Sequence, residues 1–112
     1  MSASQRSKGA RGEVEVVAML KATGWPNASR NWMSGAAGFG DFLHGPEGVI
    51  LEAKRVEALR FWDSWKQVAE DAEIAGPEFM PVLATRRNAS KWLAVCELED
   101  LLDLLKFRET AL

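Results

Sequence analysis

Hydrophobic and polar positions along the chain follow two periods, one helical and one alternating. Apolar residues that recur every three or four positions predict three helices. Shorter apolar runs bounded by turn residues predict five strands. In chain order the predicted elements are a helix over about residues 9–22, strands over 27–32, 39–44 and 49–54, a helix over about 59–75, strands over 80–85 and 91–96, and a helix over 97–107.

Turn residues indicate how these elements connect. Thr23 and Gly24 end the first helix, and Pro26 blocks its continuation. The sequence Gly-Pro-Glu-Gly at 45–48 predicts a tight turn, so the second and third strands are expected to form a hairpin. The order αβββαββα predicts an α/β fold with a small mixed β-sheet flanked by helices. The 112 residues suit one domain, with residues 1–8 as a flexible basic tail.

The long middle helix is predicted to have an apolar side and a polar side. Trp62 and Trp65 belong to the apolar side, which favours core or dimer contacts for them over base stacking. Gln67 lies on the polar side and is left out of the candidate site. The apolar side comprises Phe61, Trp62, Trp65, Val68, Ala69, Ala72 and Ala75, and the polar side Arg60, Asp63, Ser64, Gln67, Glu70 and Asp71.

Composition narrows the class of protein. The single cysteine, Cys96, excludes an intrachain disulfide and a multi-cysteine zinc site, and is expected to be a small core residue. The polar N-terminus lacks a secretory signal and no apolar segment could span a bilayer, so a cytoplasmic protein is expected. A net charge of −2 argues against a generally basic nucleic-acid binder. Clustered charges leave two interpretations open, one basic face or ordinary solvated faces.

Acidic and basic side chains surround the third predicted strand. Side chains alternate across a strand, so Glu52 and Lys54 share one face, roughly 7 Å apart at Cα. Asp41 on the hairpin partner is expected to reach Glu52. Two carboxylates on rigid backbone suit Mg²⁺, and a neighbouring lysine suits phosphodiester hydrolysis. The alternative is a solvated Glu52–Lys54 ion pair with Asp41 capping a turn.

A further carboxylate, Glu13, shares the apolar stripe of the first helix with Val17 and Leu20. A carboxylate that faces the sheet requires a cation, a hydrogen-bond donor or a metal. The alternative places Glu13 at a frayed helix start, where it favours the helix dipole. Glu15 and Arg11, by contrast, are expected to face away from the sheet.

These residues resemble a known nuclease family. Asp41 followed by Glu-Ala-Lys at 52–54, at the end of an apolar strand, resembles the core motif of the PD-(D/E)xK nuclease superfamily. The sequence Lys-Gly-Ala-Arg-Gly-Glu at 8–13 is similar to the opening K-G-x-x-x-E of archaeal-type Holliday junction resolvases, and Arg30 matches an arginine of those enzymes. The resemblance covers most of the chain, up to Cys96. Gly40 departs from the pattern, which has proline before the aspartate.

The resemblance implies a restriction-endonuclease-like fold and a metal-dependent endodeoxyribonuclease that acts as a homodimer on Holliday junctions. It implies that Asp41 and Glu52 bind Mg²⁺ or Mn²⁺, with the Ala53 carbonyl as a further ligand. It also implies that Lys54 positions or activates the attacking water and that Glu13 completes the catalytic site, either as a further metal ligand or by holding a water. Arg30 would contact a phosphate. Other candidate nucleic-acid contacts are Arg6, Lys8, Arg11, Ser34, Arg55, Arg86 and Arg87.

Alternatives remain open at the level of function. The first is another compact DNA nuclease for nicking, repair or replication forks, and branched-substrate preference separates it from a resolvase. The second is a non-catalytic DNA-binding or assembly module on the same fold, and the third an RNA nuclease. His44 is expected to be a polar strand-end residue, with metal ligation as the alternative.

Overall fold

The computed structural model describes residues 3–32 and 40–111. The observed element order matches the predicted order αβββαββα. The elements are α1 (Ala3–Thr23), β1 (Ser29–Arg30), β2 (Phe42–Leu43), β3 (Val49–Arg55), α2 (Phe61–Ala75), β4 (Met80–Arg86), β5 (Leu93–Val95) and α3 (Leu98–Ala111).

The central sheet contains three strands in the order β3-β4-β5. β3 and β4 pair in parallel with Glu52 opposite Leu83, and β5 adds to β4 antiparallel. Parallel neighbours require a crossover, which α2 provides between them. The α/β class and the mixed sheet are therefore confirmed.

The predicted hairpin is wrong, because β2 pairs antiparallel with β1 in a separate two-stranded sheet. The pairing joins Ser29 to Leu43 and Arg30 to Phe42. β3 carries apolar side chains on both faces, and such a strand suits a parallel sheet with helices on each side better than a hairpin with one solvated face. β1 and β2 are also much shorter than the strands predicted over 27–32 and 39–44.

Two hydrophobic clusters cover the two faces of β3. On one face Ile50 packs with Val68 and Ala72 of α2. On the other face Leu51 and Ala53 pack against a cluster that includes Val16 and Leu20 of α1. The predicted alternation of β3 is thus confirmed, and Glu52 lies on the face that α2 covers.

The first helix begins at Ala3 instead of near residue 9, so residues 3–8 are helical where a flexible tail was expected. Gly12 allows α1 to approach the sheet closely. A Cβ at this position would lie 2.9 Å from Cβ of Arg55 and 3.4 Å from the Trp92 ring. The K-G-x-x-x-E sequence therefore lies inside a helix that packs on the sheet.

The middle helix is rotated relative to its predicted faces. Trp62, expected on the apolar side, is 76% exposed, whereas Ser64, expected on the polar side, is buried. Trp65 packs against the cluster around Val68, as expected. Asp71 also faces the sheet, where it contacts Glu52.

The last helix lies apart from these clusters, and none of its described residues is buried. It continues to Ala111, beyond the predicted end at residue 107. Across residues 3–32 and 40–111, no helix combines the length and the apolar character that a membrane span requires.

Candidate active site

Asp41 is attached to β3 although it belongs to no strand. Its backbone N–H donates to the carbonyl of Leu51 at 3.0 Å, and its Oδ2 accepts a hydrogen bond from the N–H of Ala53 at 2.9 Å. These two bonds hold the Asp41 carboxylate beside the segment that carries Glu52 and Lys54. The expected proximity of Asp41 to Glu52 therefore arises without the predicted hairpin.

Gly40 explains why proline is absent before Asp41. Its φ of +67° lies in the left-handed region, whereas proline is fixed near −65°. A Cβ at Gly40 would lie 2.9 Å from the carbonyl oxygen of Leu51. The close approach of this turn to β3 thus requires glycine.

Asn31 supports the same turn and was not identified from the sequence. It is 5% exposed, its backbone N–H donates to the Asp41 carbonyl at 2.8 Å, and its side-chain Nδ2 donates to the Gly40 carbonyl at 3.0 Å. An asparagine after an arginine carries no sequence signal for such a role. Its function is evident only from the folded contact between residues 31 and 40.

Glu52 is 2% exposed, so the alternative of a solvated Glu52–Lys54 ion pair is wrong. Burial raises the pKa of Glu52 to about 8. A hydrogen bond with Asp71 and the charges of Asp41 and Asp71 also raise this pKa, while Lys54 lowers it. A protonated carboxyl group can donate to a neighbouring carboxylate, which accounts for the effect of the Asp71 bond.

Burial raises the pKa of Asp41 as well. The N–H of Ala53 and the charge of Lys54 lower this pKa, and the negative charges of Glu13 and Asp71 raise it. Four acidic side chains and one lysine therefore interact electrostatically around one edge of β3. Asp71, placed on the solvated side of α2 by sequence reasoning, belongs to this group.

Glu13 pairs with a cation, as expected for a carboxylate on the side of α1 that faces the sheet. Its Oε1 accepts a hydrogen bond from Nε of Arg30 at 2.9 Å, and the side chain is 19% exposed. The alternative of a frayed helix start is wrong, because α1 begins ten residues earlier, at Ala3. The Arg30 guanidinium also lies 4.8 Å from the ring centroid of Trp32, which is 81% exposed.

Several candidate phosphate contacts are engaged within the fold. Arg55 and Arg86 both pair with Glu15, at 3.7 and 2.8 Å, so Glu15 does not face away as expected. Lys8 lies 3.5 Å from Glu57. Two further candidates, Arg11 and Arg87, are exposed. Ser34 and the side chain of Arg6 lie outside the described residues.

The other singled-out residues occupy less distinctive positions. His44 is exposed, with a φ of +59°, where β2 meets the following turn. Cys96 is a free thiol and only half-buried. Gln67 is exposed on α2. A groove of about 1,100 Å³ lies near the N-terminal end of β3 and is lined by residues such as Trp25 and Phe79. Asp41 and Glu52 do not line it.

The acidic group suits a divalent cation. Among residues 3–32 and 40–111, no group of three or more His, Cys, Asp or Glu side chains could by itself hold a metal ion. Mg²⁺, however, commonly takes only one or two protein carboxylates and keeps several waters. Asp41 and Glu52 are the two carboxylates that could hold such an ion, and a positive ion between them would relieve their mutual repulsion.

No family model matches the chain, no curated protein matches it significantly, and no solved structure does. The family resemblance therefore stays a prediction based on the residues themselves. The arguments about function that follow rest on the geometry around Asp41 and Glu52.

Proposed function

We propose that the chain is a metal-dependent endonuclease with a restriction-endonuclease-like fold, which hydrolyses DNA phosphodiester bonds and prefers four-way junctions. The observation that carries this proposal is the attachment of Asp41 to β3. The Ala53 N–H holds the Asp41 carboxylate next to buried Glu52, with Lys54 in the same electrostatic group. Acid, acid and lysine on rigid backbone suit phosphodiester hydrolysis.

Each residue has a role in this proposal. Asp41 and Glu52 would hold Mg²⁺ or Mn²⁺, together with the Ala53 carbonyl. The bound cation would supply charge neutralisation at the phosphate and a more acidic water. Lys54 orients the attacking water or stabilises charge that develops on the phosphate.

Glu13 and Arg30 support the site from α1 and β1. Because Glu13 is paired with Arg30 at 2.9 Å, it keeps the guanidinium beside the acidic group. In the proposed function this guanidinium contacts a phosphate near the scissile bond. Arginine suits that role because its planar donors match phosphate oxygens.

The burial of Glu52 argues against a non-catalytic binding module. A carboxylate that is 2% exposed and lies beside two other acids opposes folding when it is charged. A module that only binds DNA gains nothing from this arrangement. Another small DNA nuclease is compatible with the same geometry, and substrate preference separates it from a junction resolvase.

The test is cleavage of an end-labelled four-way junction beside a matched linear duplex. Each reaction is run with Mg²⁺, with Mn²⁺ and with chelator. Glu52→Gln is the inactive variant, and Glu73→Gln, which makes the same change at an exposed acid of α2, is the matched control. We expect metal-dependent paired nicks near the branch that Glu52→Gln abolishes and Glu73→Gln preserves.

Each other outcome has a defined meaning. Equal cutting of junction and duplex supports a general nuclease. Cleavage of RNA but not of DNA would identify the protein as an RNA nuclease. Tight DNA binding without turnover in either metal overturns the enzymatic proposal in favour of a binding module.

A further inference from the structure

The last helix exposes an apolar face that no other part of the described structure covers. Five leucines of α3 are between 41% and 68% exposed, and no described residue of the helix is buried. These leucines are Leu98, Leu101, Leu102, Leu104 and Leu105. Contiguous apolar surface of this kind on a soluble domain indicates an interaction site.

The leucines form one continuous stripe. At 100° per residue, Leu101, Leu105, Leu98 and Leu102 lie within an arc of about 100°, which a charged residue, Glu109, enters only near the C-terminal end of the helix. Leu104 widens that arc on one side. Phe107, 73% exposed, points to the opposite side of α3. The stripe has the i, i+3, i+4, i+7 spacing by which helices pack against one another.

The shape of the molecule agrees with a helix outside its body. The radius of gyration is 14.1 Å, and the longest dimension of 46 Å greatly exceeds the other two, 29 and 26 Å. A compact chain of this length is expected to have a radius of about 13 Å. The helix contributes apolar surface while none of its described residues is buried against the body.

The charges along α3 identify what covers the stripe. Residues 97–103 contain four acids and no base, a net charge of −4. Residues 104–110 contain two bases and one acid, a net charge of +1. Two copies of the helix side by side in the same direction would place acid against acid. Two copies in opposite directions place the acidic half of each against the basic half of the other.

We infer that α3 pairs antiparallel with α3 of a second copy of this chain. With the two-fold axis near residue 103, Leu101 of one copy packs against Leu105 of the other. Glu99 then faces Lys106 of the second copy on one side of the stripe, and Glu97, the residue before α3, faces Arg108 on the other side. Lys106 also lies 3.8 Å from Glu109 of its own chain, but both side chains are more than 70% exposed, so that weak pair leaves Lys106 available.

This inference does not depend on the proposed nuclease activity. It rests on the apolar stripe and the charge gradient of α3 alone. The resemblance to resolvases implied a homodimer but no surface for it, and α3 provides one. Failure of the nuclease assay would leave the pairing of α3 unaffected, and the reverse also holds.

The test is the oligomeric state of the 112-residue chain, measured by sedimentation between micromolar and hundred-micromolar concentrations. The test variant is Leu101→Glu, and Phe107→Glu is its matched control. Both place the same charge at an exposed apolar position of α3, one on the stripe and one opposite. We expect a dimer whose dissociation constant rises about a hundredfold in Leu101→Glu, because each copy loses a buried leucine, and changes little in Phe107→Glu.

Circular dichroism of both variants checks that the body remains folded, which is expected because α3 buries no residue against it. A monomeric wild-type chain across the whole range overturns the inference. A dimer that Leu101→Glu and Phe107→Glu weaken equally, or that neither weakens, places the interface elsewhere and also overturns it.

Orientation is tested by cross-linking in a Cys96→Ser background. Chains carrying Leu101→Cys are mixed with tagged chains carrying Leu105→Cys, and the disulfides that form are resolved by size. Antiparallel pairing predicts cross-links between the two kinds of chain. Cross-links mainly within each kind indicate parallel helices and overturn the antiparallel arrangement.

Discussion

Replacing Glu52 by glutamine is expected to abolish cleavage and to stabilise the metal-free protein at high pH. Glutamine removes the negative charge from a position that is 2% exposed and close to Asp41 and Asp71. Its amide can still donate a hydrogen bond to Asp71, as the protonated carboxyl group does. The substitution therefore isolates the energetic cost of the Glu52 charge.

The size of the effect follows from the pKa of Glu52. Its pKa rises from an ordinary 4.5 to about 8, and at about 1.4 kcal/mol per unit the full linkage would be about 5 kcal/mol. Water relaxes around the charge, so we expect somewhat less than half of this limit, about 2 kcal/mol. The raised pKa of Asp41 acts in the same direction.

The sign of the pH dependence follows from the direction of the shift. A carboxyl whose pKa is raised on folding binds its proton more tightly in the native state. The associated stability is present below pH 4.5 and is lost as the pH rises through about 8. The wild-type protein in chelator should therefore lose stability between pH 5 and pH 9, and Glu52→Gln should lose less of it.

The assay is urea unfolding in chelator at pH 5, 7 and 9, followed by tryptophan fluorescence. We expect Glu52→Gln to match the wild type at pH 5 and to exceed it by about 2 kcal/mol at pH 9. Glu73→Gln, at an exposed position of α2, should follow the wild type throughout. A constant difference at all three pH values, or a less stable Glu52→Gln at pH 9, would refute the argument from charge burial.

Three further perturbations test other parts of the site. Gly40→Ala should lower the free energy of unfolding by about 2 kcal/mol, because φ of residue 40 is +67° and the new Cβ would meet the Leu51 carbonyl oxygen. An unchanged midpoint of urea unfolding would contradict this prediction. Mg²⁺ should raise the melting temperature of the wild type at pH 8, since a ligand that binds the native state stabilises that state, and should leave the melting temperature of Glu52→Gln nearly unchanged. Equal increases in the two proteins would show that the ion binds elsewhere. Trp32→Ala should weaken single-stranded DNA binding about tenfold if the exposed ring stacks on bases, whereas Trp62→Ala, also exposed, should not; equal losses would reject a specific stacking role.

The elements that the sequence predicts best are those with strong local signals. β3 was predicted over 49–54 and is observed at Val49–Arg55, because an apolar run follows a Gly-Pro turn. Its partner was not predictable in the same way. Parallel pairing with β4 depends on a crossover through α2, which no local pattern specifies.

The error in the predicted faces of α2 comes from polar residues that face the sheet. Asp71 faces the sheet because it contacts Glu52, and Ser64 is buried on the same helix. Polar residues at buried positions break the amphipathic pattern, and such violations concentrate at functional sites. Trp62 is apolar but exposed, so its inclusion in the predicted apolar side also shifts that side away from the face that is buried in the structure. The role of Asn31 could not be predicted from the sequence because its contacts with Gly40 and Asp41 form only when the chain folds.

The two glutamates of α1 show why net charge says little about DNA binding in this chain. Glu15 forms ion pairs with Arg55 and Arg86, and these pairs join α1 to β3 and β4. Glu13 holds Arg30 beside the acidic group. Arg55 and Arg86 neutralise Glu15 and would release few counterions from DNA, so Arg30 is left as the arginine that the proposed function places on a phosphate. On the proposed function few phosphate contacts remain, so binding should have a shallow salt dependence, and preference for a branched substrate must come from the geometry of the site and its dimer.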